Sequence, residues 1–171
     1  METLIRDLLE YSRLSRSELE LTPVGLGLVV VDALAQLEAT LAEAGAEVTV
    51  EEPLPTVPAH PATTVQVVAN LVSNAVKFAA PGVTPCVRIH AATSGSTARL
   101  WVEDNGIGIK AEHVDRIFRV FERLHSTAAY PGTGVGLAIV RKGVERMGGR
   151  VGVESEEGGG SRFWIEFELG E

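Results

Sequence analysis

The stretch Asn70-Leu71-Val72-Ser73-Asn74-Ala75-Val76-Lys77-Phe78 decides how this chain is read, together with two later ones, Asp104-Asn105-Gly106-Ile107-Gly108-Ile109 and Gly132-Thr133-Gly134-Val135-Gly136-Leu137. On a helix turning roughly 100° per residue, Asn70, Asn74 and Lys77 fall within an arc of about 60°, while Leu71, Ala75 and Phe78 point to another side. One face is polar and one packs. Asp104 ends a strand-like run, and the glycines at 106 and 108 let the backbone turn with positive φ and approach a flat ligand closely. The third stretch opens a helical pattern, so its amides and the helix N-terminus can face phosphate oxygens without any side chain. An Asn pair alone reads as a solvated face, and a glycine run alone as a turn. In this order and with this chemistry the three read as one nucleotide pocket.

Two common phosphate motifs are excluded, because the chain has no Gly-Lys dipeptide for a Walker A loop and no Gly-x-Gly-x-x-Gly for a dinucleotide fingerprint. Asn74 offers Mg²⁺ a neutral carbonyl oxygen, which suits a small hard ion that takes its negative ligands from substrate phosphates. Lys77, one turn on, can neutralise a phosphate. A buried carboxylate at Asp104 can accept from an exocyclic amine. Adenine has that donor at N6 where guanine has a carbonyl, so the contact favours ATP over GTP.

These three stretches resemble, in order, the N, G1 and G2 boxes of sensor histidine kinases, whose ATP-binding domain belongs to the wider Bergerat (GHKL) superfamily. The resemblance covers nearly the whole chain. It implies ATP and Mg²⁺ as ligands, Asp104 as the adenine-reading residue, Asn74 as the metal contact, and Asn70 and Lys77 as catalytic residues. Nucleotide contacts are further implied for Gly106, Gly108 and Ile109, and for Gly132, Thr133, Gly134, Val135, Gly136 and Leu137. Phe118 and Phe121 resemble the F box that anchors an ATP lid, here from about 123 to 131. Arg123, with Arg119 and His125, is close enough in sequence to reach phosphates, and the lack of periodicity leaves their direction open. Thr3 to Leu14 is similar to the second helix of the kinase dimerisation hairpin. Residues 1–20 are thus expected to end that hairpin, and 21–171 to form the catalytic ATP-binding domain.

At 171 residues and 18.2 kDa, with 45% hydrophobic and 22% charged residues, the chain is long enough for one substantial core. A formal charge of −8 disfavours nucleic acid as a partner, since phosphate-backbone binding leans on clustered Lys and Arg. No apolar run is long enough to cross a bilayer and no charged-then-apolar leader opens the chain, so no direct membrane contact and a cytoplasmic location are expected. Cys86 is the single cysteine. An internal disulfide is therefore impossible, and the thiol reads as core rather than catalytic.

The expected architecture is an α/β (α+β) sandwich: a mixed, largely antiparallel sheet with helices on one face, plus an N-terminal bundle helix. Met1, Leu4, Leu8 and Tyr11 at a/d positions, widened by Ile5 and Leu9, predict that helix over residues 1–17. Thr22-Pro23 and Gly25 mark a linker. A single helix is expected from Leu26 to Ala44, capped by Gly45, then a strand at 47–51 and an irregular proline-rich connection through residues 53, 55, 58 and 61. A helix at 62–79 carries the first motif. Strands at 87–91 and 98–103, a short helix at 111–122, a helix at 135–147 and strands at 151–155 and 161–169 complete the pattern.

Related chaperone and gyrase ATPases activate water with a Glu at the position that Asn70 holds here. An amide cannot take a proton at neutral pH, which favours a kinase acting mostly by positioning and charge stabilisation. The phosphoacceptor His of the family is usually followed by an acidic residue, yet His60, His90, His113 and His125 precede Pro61, Ala91, Val114 and Ser126. His60 also replaces an Asp common just ahead of the N-box helix. The resemblance therefore implies that the γ-phosphate goes to a His on a helical hairpin absent from this chain, with a response regulator downstream and a homodimer in the full-length protein. Two alternatives stay open here: a serine kinase of the anti-sigma-factor type, and an ATP-binding regulatory module without transfer.

Overall fold

The computed structural model describes residues 2–120 and 134–170. Phe121, Arg123, His125, Gly132, Thr133 and the expected lid at 123–131 lie outside the described residues. In chain order the elements are α1 (Glu2–Arg16), β1 (Thr22–Gly25), α2 (Leu26–Gln36), α3 (Glu38–Ala44), β2 (Glu47–Val50), β3 (Thr56–Ala59), α4 (Pro61–Lys77), β4 (Cys86–Ser94), β5 (Thr97–Asp104), a 3₁₀ turn (Ala111–His113), α5 (Gly136–Arg146), β6 (Arg150–Ser155) and β7 (Ser161–Glu168). Five strands form one sheet in the order β2-β4-β5-β7-β6, parallel only between β2 and β4. This is the expected mixed, largely antiparallel sandwich.

Alternation along the strands separates the two faces of the sheet. Val87, Ile89, Leu100, Val102, Phe163, Ile165 and Phe167 point inward and are buried. They join one core with Leu26, Val29, Val30 and Ala33 of α2 and Val67, Val68, Leu71 and Val72 of α4. Each large side chain so buried contributes roughly 1.5–3 kcal/mol. Among the described residues no helix packs on the opposite face, which carries its own polar and aromatic side chains. Trp101 lies directly across from Trp164, and the guanidinium of Arg99 stands 3.8 Å over the Trp164 ring. Glu103 pairs with Arg88 at 3.0 Å and with Arg162 at 2.9 Å, while buried Glu166 is gripped by Arg99 and Arg150. Those two arginines hold the Glu166 carboxyl below the usual range, Arg150 chiefly.

α4 begins cleanly because Pro61 sits in its first turn and His60 caps it: His60 Nδ1 accepts from the Thr63 N–H at 3.3 Å. The substituted His thus retains a capping function. Gly45, at φ 63°, closes α3 as expected.

Four expectations need correction. The helix expected over 26–44 is two helices broken at Leu37; the apolar positions continue unbroken through Leu37 and Leu41 onto the core, so periodicity could not reveal the break. The linker and the proline-rich connection pair as an antiparallel ribbon of β1 and β3, with Pro23 opposite Pro58. Prolines are tolerated there because the ribbon is only two strands wide and both are edges. The helix expected at 111–122 is a 3₁₀ turn followed by further i→i−3 bonds as far as residue 119. Val114, Ile117 and Val120 recur every third residue, which is the 3₁₀ repeat. Finally, Cys86 opens β4 and is exposed, since the alternation that buries Val87 and Ile89 turns it outward.

α1 lies along α5. Leu14 is buried against Val135 and Ile139, with Leu4, Leu8 and Tyr11 packed around them, and Arg146 donates to the Ser17 carbonyl. Ile5 and Leu9 remain more than half exposed on the other side of the helix.

Candidate nucleotide site

α4 is the wall common to all three motifs. Its last turn meets the loop after Asp104, for the Phe78 carbonyl accepts from the Ile107 N–H at 3.0 Å. Its middle meets the start of α5, where a methyl group built on Gly136 would lie 3.7 Å from Asn70 Oδ1. Asn70, Asn74 and Lys77 are all half-buried on this helix. The Lys77 ammonium stands 4.8 Å over the Phe78 ring.

Asp104 ends β5 on the inner face, opposite Ser161 of β7. Its Oδ1 accepts from the Gly106 N–H at 2.9 Å and from the Ser161 N–H at 3.2 Å. Burial pushes the Asp104 carboxyl up to about 6, against the pull of those two amides. Both bonds land on one oxygen, and among the described residues no hydrogen bond reaches Oδ2.

The glycines after Asp104 stand close against protein backbone, and of the two only Gly108 takes the expected positive φ. A Cβ on Gly106 would stand 2.5 Å from the Phe78 carbonyl oxygen, and one on Gly108, at φ +73°, 1.9 Å from the Glu156 carbonyl oxygen. It is protein backbone that approaches, from the end of α4 on one side and the β6–β7 turn on the other. The Gly158 N–H then donates to the Ile107 carbonyl at 2.7 Å and fixes the loop to that turn.

At the start of α5, Gly134 has φ 76°, the helix begins at Gly136, and Val135 in the N-cap position supplies no side-chain cap. Val135 is fully buried beneath α1, and Leu137 packs against the main core. These two side chains hold the motif in place. Phe118 meets Phe163 edge-on at 6.1 Å and packs against the core, as an anchor would. Among the described residues, no three His, Cys, Asp or Glu side chains cluster as a metal site.

Sequence reading missed three residues. Asn105 ties the Asp104 loop to the start of β4: Oδ1 accepts from the Cys86 N–H at 2.9 Å and Nδ2 donates to the Thr84 carbonyl at 3.0 Å. Ser155 and Ser161 flank the β6–β7 turn and join the loop from the other side. The available signal was a second glycine run, Gly158-Gly159-Gly160, directly before Ser161.

A family model described as histidine kinase-, DNA gyrase B-, and HSP90-like ATPase matches residues 59–171, which include all three motifs. The chain belongs to this ATPase family. Within it, the similarity is to sensor histidine kinases. The phytochrome-like protein Cph1 of Synechocystis is 38% identical over 170 residues, 99% of this chain and 22% of that protein. The sensor histidine kinase AruS of Pseudomonas aeruginosa is 50% identical over 108 residues, 61% of this chain and 11% of that protein. The chain thus spans about a fifth, or less, of the curated relatives it matches. Among solved structures, full-length ShkA in complex with AMPPNP superposes with a TM-score of 0.80 at 34% identity, covering 98% of this chain and 36% of that one. The nucleotide-free catalytic domain of the histidine kinase ThkA gives 0.73 at 25% identity, covering 88% and 97%. ATP binding is therefore a property of the family and of this fold. Among the described residues no helix is long and apolar enough to cross a membrane.

Proposed function

We propose that this chain is the catalytic part of a sensor histidine kinase, which holds Mg-ATP and directs its γ-phosphate to a histidine on a dimerisation hairpin. The observation that carries the proposal is the convergence on α4 of the Asp104 carboxylate, on which both described hydrogen bonds land on Oδ1, and the start of α5 beside Asn70. The donors fit the ligand. Asp104 Oδ2 would accept the adenine amine, the first amides of α5 would receive phosphate oxygens, and the Asn74 carbonyl oxygen would help to hold a Mg²⁺ ion that neutralises the phosphates. Lys77 adds a positive charge on the same wall. Gly106, Gly108 and Ile109 shape the base side, and Gly132 to Leu137 the phosphate side.

Asn70 is the residue that favours transfer over hydrolysis, because its amide can orient a group by hydrogen bonds and cannot remove a proton from water. The reaction forms a phosphorus–nitrogen bond on the acceptor imidazole and releases ADP. Residues 1–20 form the end of the dimerisation hairpin, the acceptor lies outside these 171 residues, and the full-length protein is a homodimer that passes phosphate to a response regulator. A domain that consumes ATP in this way works in the cytoplasm.

The experiment is transfer from radiolabelled ATP, with the chain alone and with a separately supplied hairpin carrying an acceptor histidine. The expected outcome is no label on the chain alone and an acid-labile, base-stable label on the hairpin. Robust self-labelling would overturn the missing-acceptor claim. An acid-stable phosphoester on a protein partner would replace the histidine kinase with a serine kinase.

A further inference from the structure

Asp104, Ser161 and Ser155 form one row across three strands. Asp104 is directly opposite Ser161 between β5 and β7, and Ser161 is directly opposite Ser155 between β7 and β6. Opposed residues share a face of the sheet, so the three side chains stand in line.

Ser155 Oγ has three partners, each at 2.8 Å: the Ile109 N–H, the Gly160 carbonyl oxygen and Ser161 Oγ. A hydroxyl has one proton and two lone pairs. The Ile109 N–H must donate and takes one lone pair. The Gly160 carbonyl must accept and takes the proton. The bond between the serines is then forced, with Ser161 donating into the second lone pair of Ser155. Every position on Ser155 is filled, and the only hydroxyl proton of Ser161 is turned away from Asp104.

We propose that Ser155 is a positioning residue that sets base specificity: by holding the Ser161 proton it keeps the row of Asp104 and Ser161 purely hydrogen-bond accepting, and it anchors Ile109 behind that row. The proposal rests on the nucleotide reading of the pocket. An accepting row matches a base edge that presents an amine and opposes one that presents a carbonyl. Once the Ser155 hydroxyl is removed, Ser161 can rotate and donate, either to the carboxylate that the amine needs or to a base carbonyl. Affinity for ATP then falls and the barrier to GTP falls with it.

The test uses the whole chain and the variants Ser155→Ala and Ser155→Thr, with calorimetric titration of Mg-ATP and Mg-GTP. Ser155→Ala is expected to narrow the ATP-to-GTP affinity ratio by about tenfold, and Ser155→Thr, which keeps the hydroxyl, to preserve it. In a Ser161→Ala background the same Ser155→Ala change should leave the ratio where Ser161→Ala alone puts it, because the effect passes through Ser161. An unchanged ratio in Ser155→Ala overturns the proposal, as does an equal loss in the Ser161→Ala background. Exchange of the Ile109 amide in the nucleotide-free chain judges Ser155 separately. It should accelerate by about tenfold or more in Ser155→Ala, and unchanged exchange contradicts the anchoring role. Failure of the parent chain to bind either nucleotide would instead strike the pocket reading itself.

Discussion

Asp104 carries a cost in the folded chain, because burial disfavours its ionised form. Its carboxyl lies at about 6, against 3.8 in the absence of burial, so the folded protein holds this proton more tightly than the unfolded one. Between those values the folded state binds more protons, and stability therefore falls as pH rises from about 4 to about 6 and stays low above, by about 3 kcal/mol in all for this one group. Glu166 works the other way: its carboxyl is depressed, and its contribution is lost as pH drops below the usual carboxylate range. The comparison that isolates Asp104 is urea unfolding of the parent and Asp104→Asn at pH 8 and pH 4.5. The variant is expected to be more stable than the parent at pH 8, by roughly 1–3 kcal/mol, with the gap closing at pH 4.5. A variant less stable at pH 8 would mean that the two amides on Oδ1 outweigh burial. Asp104 was legible in the sequence because an acidic residue at a strand end before two glycines has few other uses. Asn105, Ser155 and Ser161 were not, since their partners lie far off in sequence or across a turn and are brought together only by strand pairing.

Among the elements, α4 was read most fully, as its polar and packing faces are written at helical spacing and its cap lies where Pro61 puts it. The β1–β3 ribbon and the turns after residue 110 were hidden, the first behind its prolines and the second behind a three-residue repeat that resembles a short helix. α1 was read as a bundle helix, and its two apolar stripes explain that reading: one docks on α5 and the other, through Ile5 and Leu9, faces outward. The docked stripe depends on Leu14. Leu14→Ala is expected to remove about 2–3 kcal/mol from the α1 contact, and hydrogen exchange should then accelerate over 2–16 while β5 and β7 keep their protection. Equal acceleration throughout the sheet would show that α1 is part of the global fold rather than a separately docked element. Because Val135 is buried in the same cluster, the phosphate-side motif is braced from the helix that leads into the domain.

At the scale of the whole molecule, the described helices pack on one face of the sheet and an arginine, glutamate and tryptophan ladder covers the other, and the described parts of the three motifs meet where α4 and α5 approach the end of β5. The sequence carried this arrangement in the order of its motifs, and the family match over residues 59–171 agrees with it. The central claim is that this convergence reads adenine through Asp104. Calorimetric titration of Mg-ATP and Mg-GTP at pH 8, into the parent chain and into Asp104→Asn, tests it most directly. One charge-assisted hydrogen bond is worth roughly 1.5–3 kcal/mol, so ATP should bind the parent about one to two decades more tightly than GTP, and Asp104→Asn should lose most of that preference while remaining folded. Equal affinity of the parent for the two nucleotides, or a preference that survives in Asp104→Asn, would contradict it.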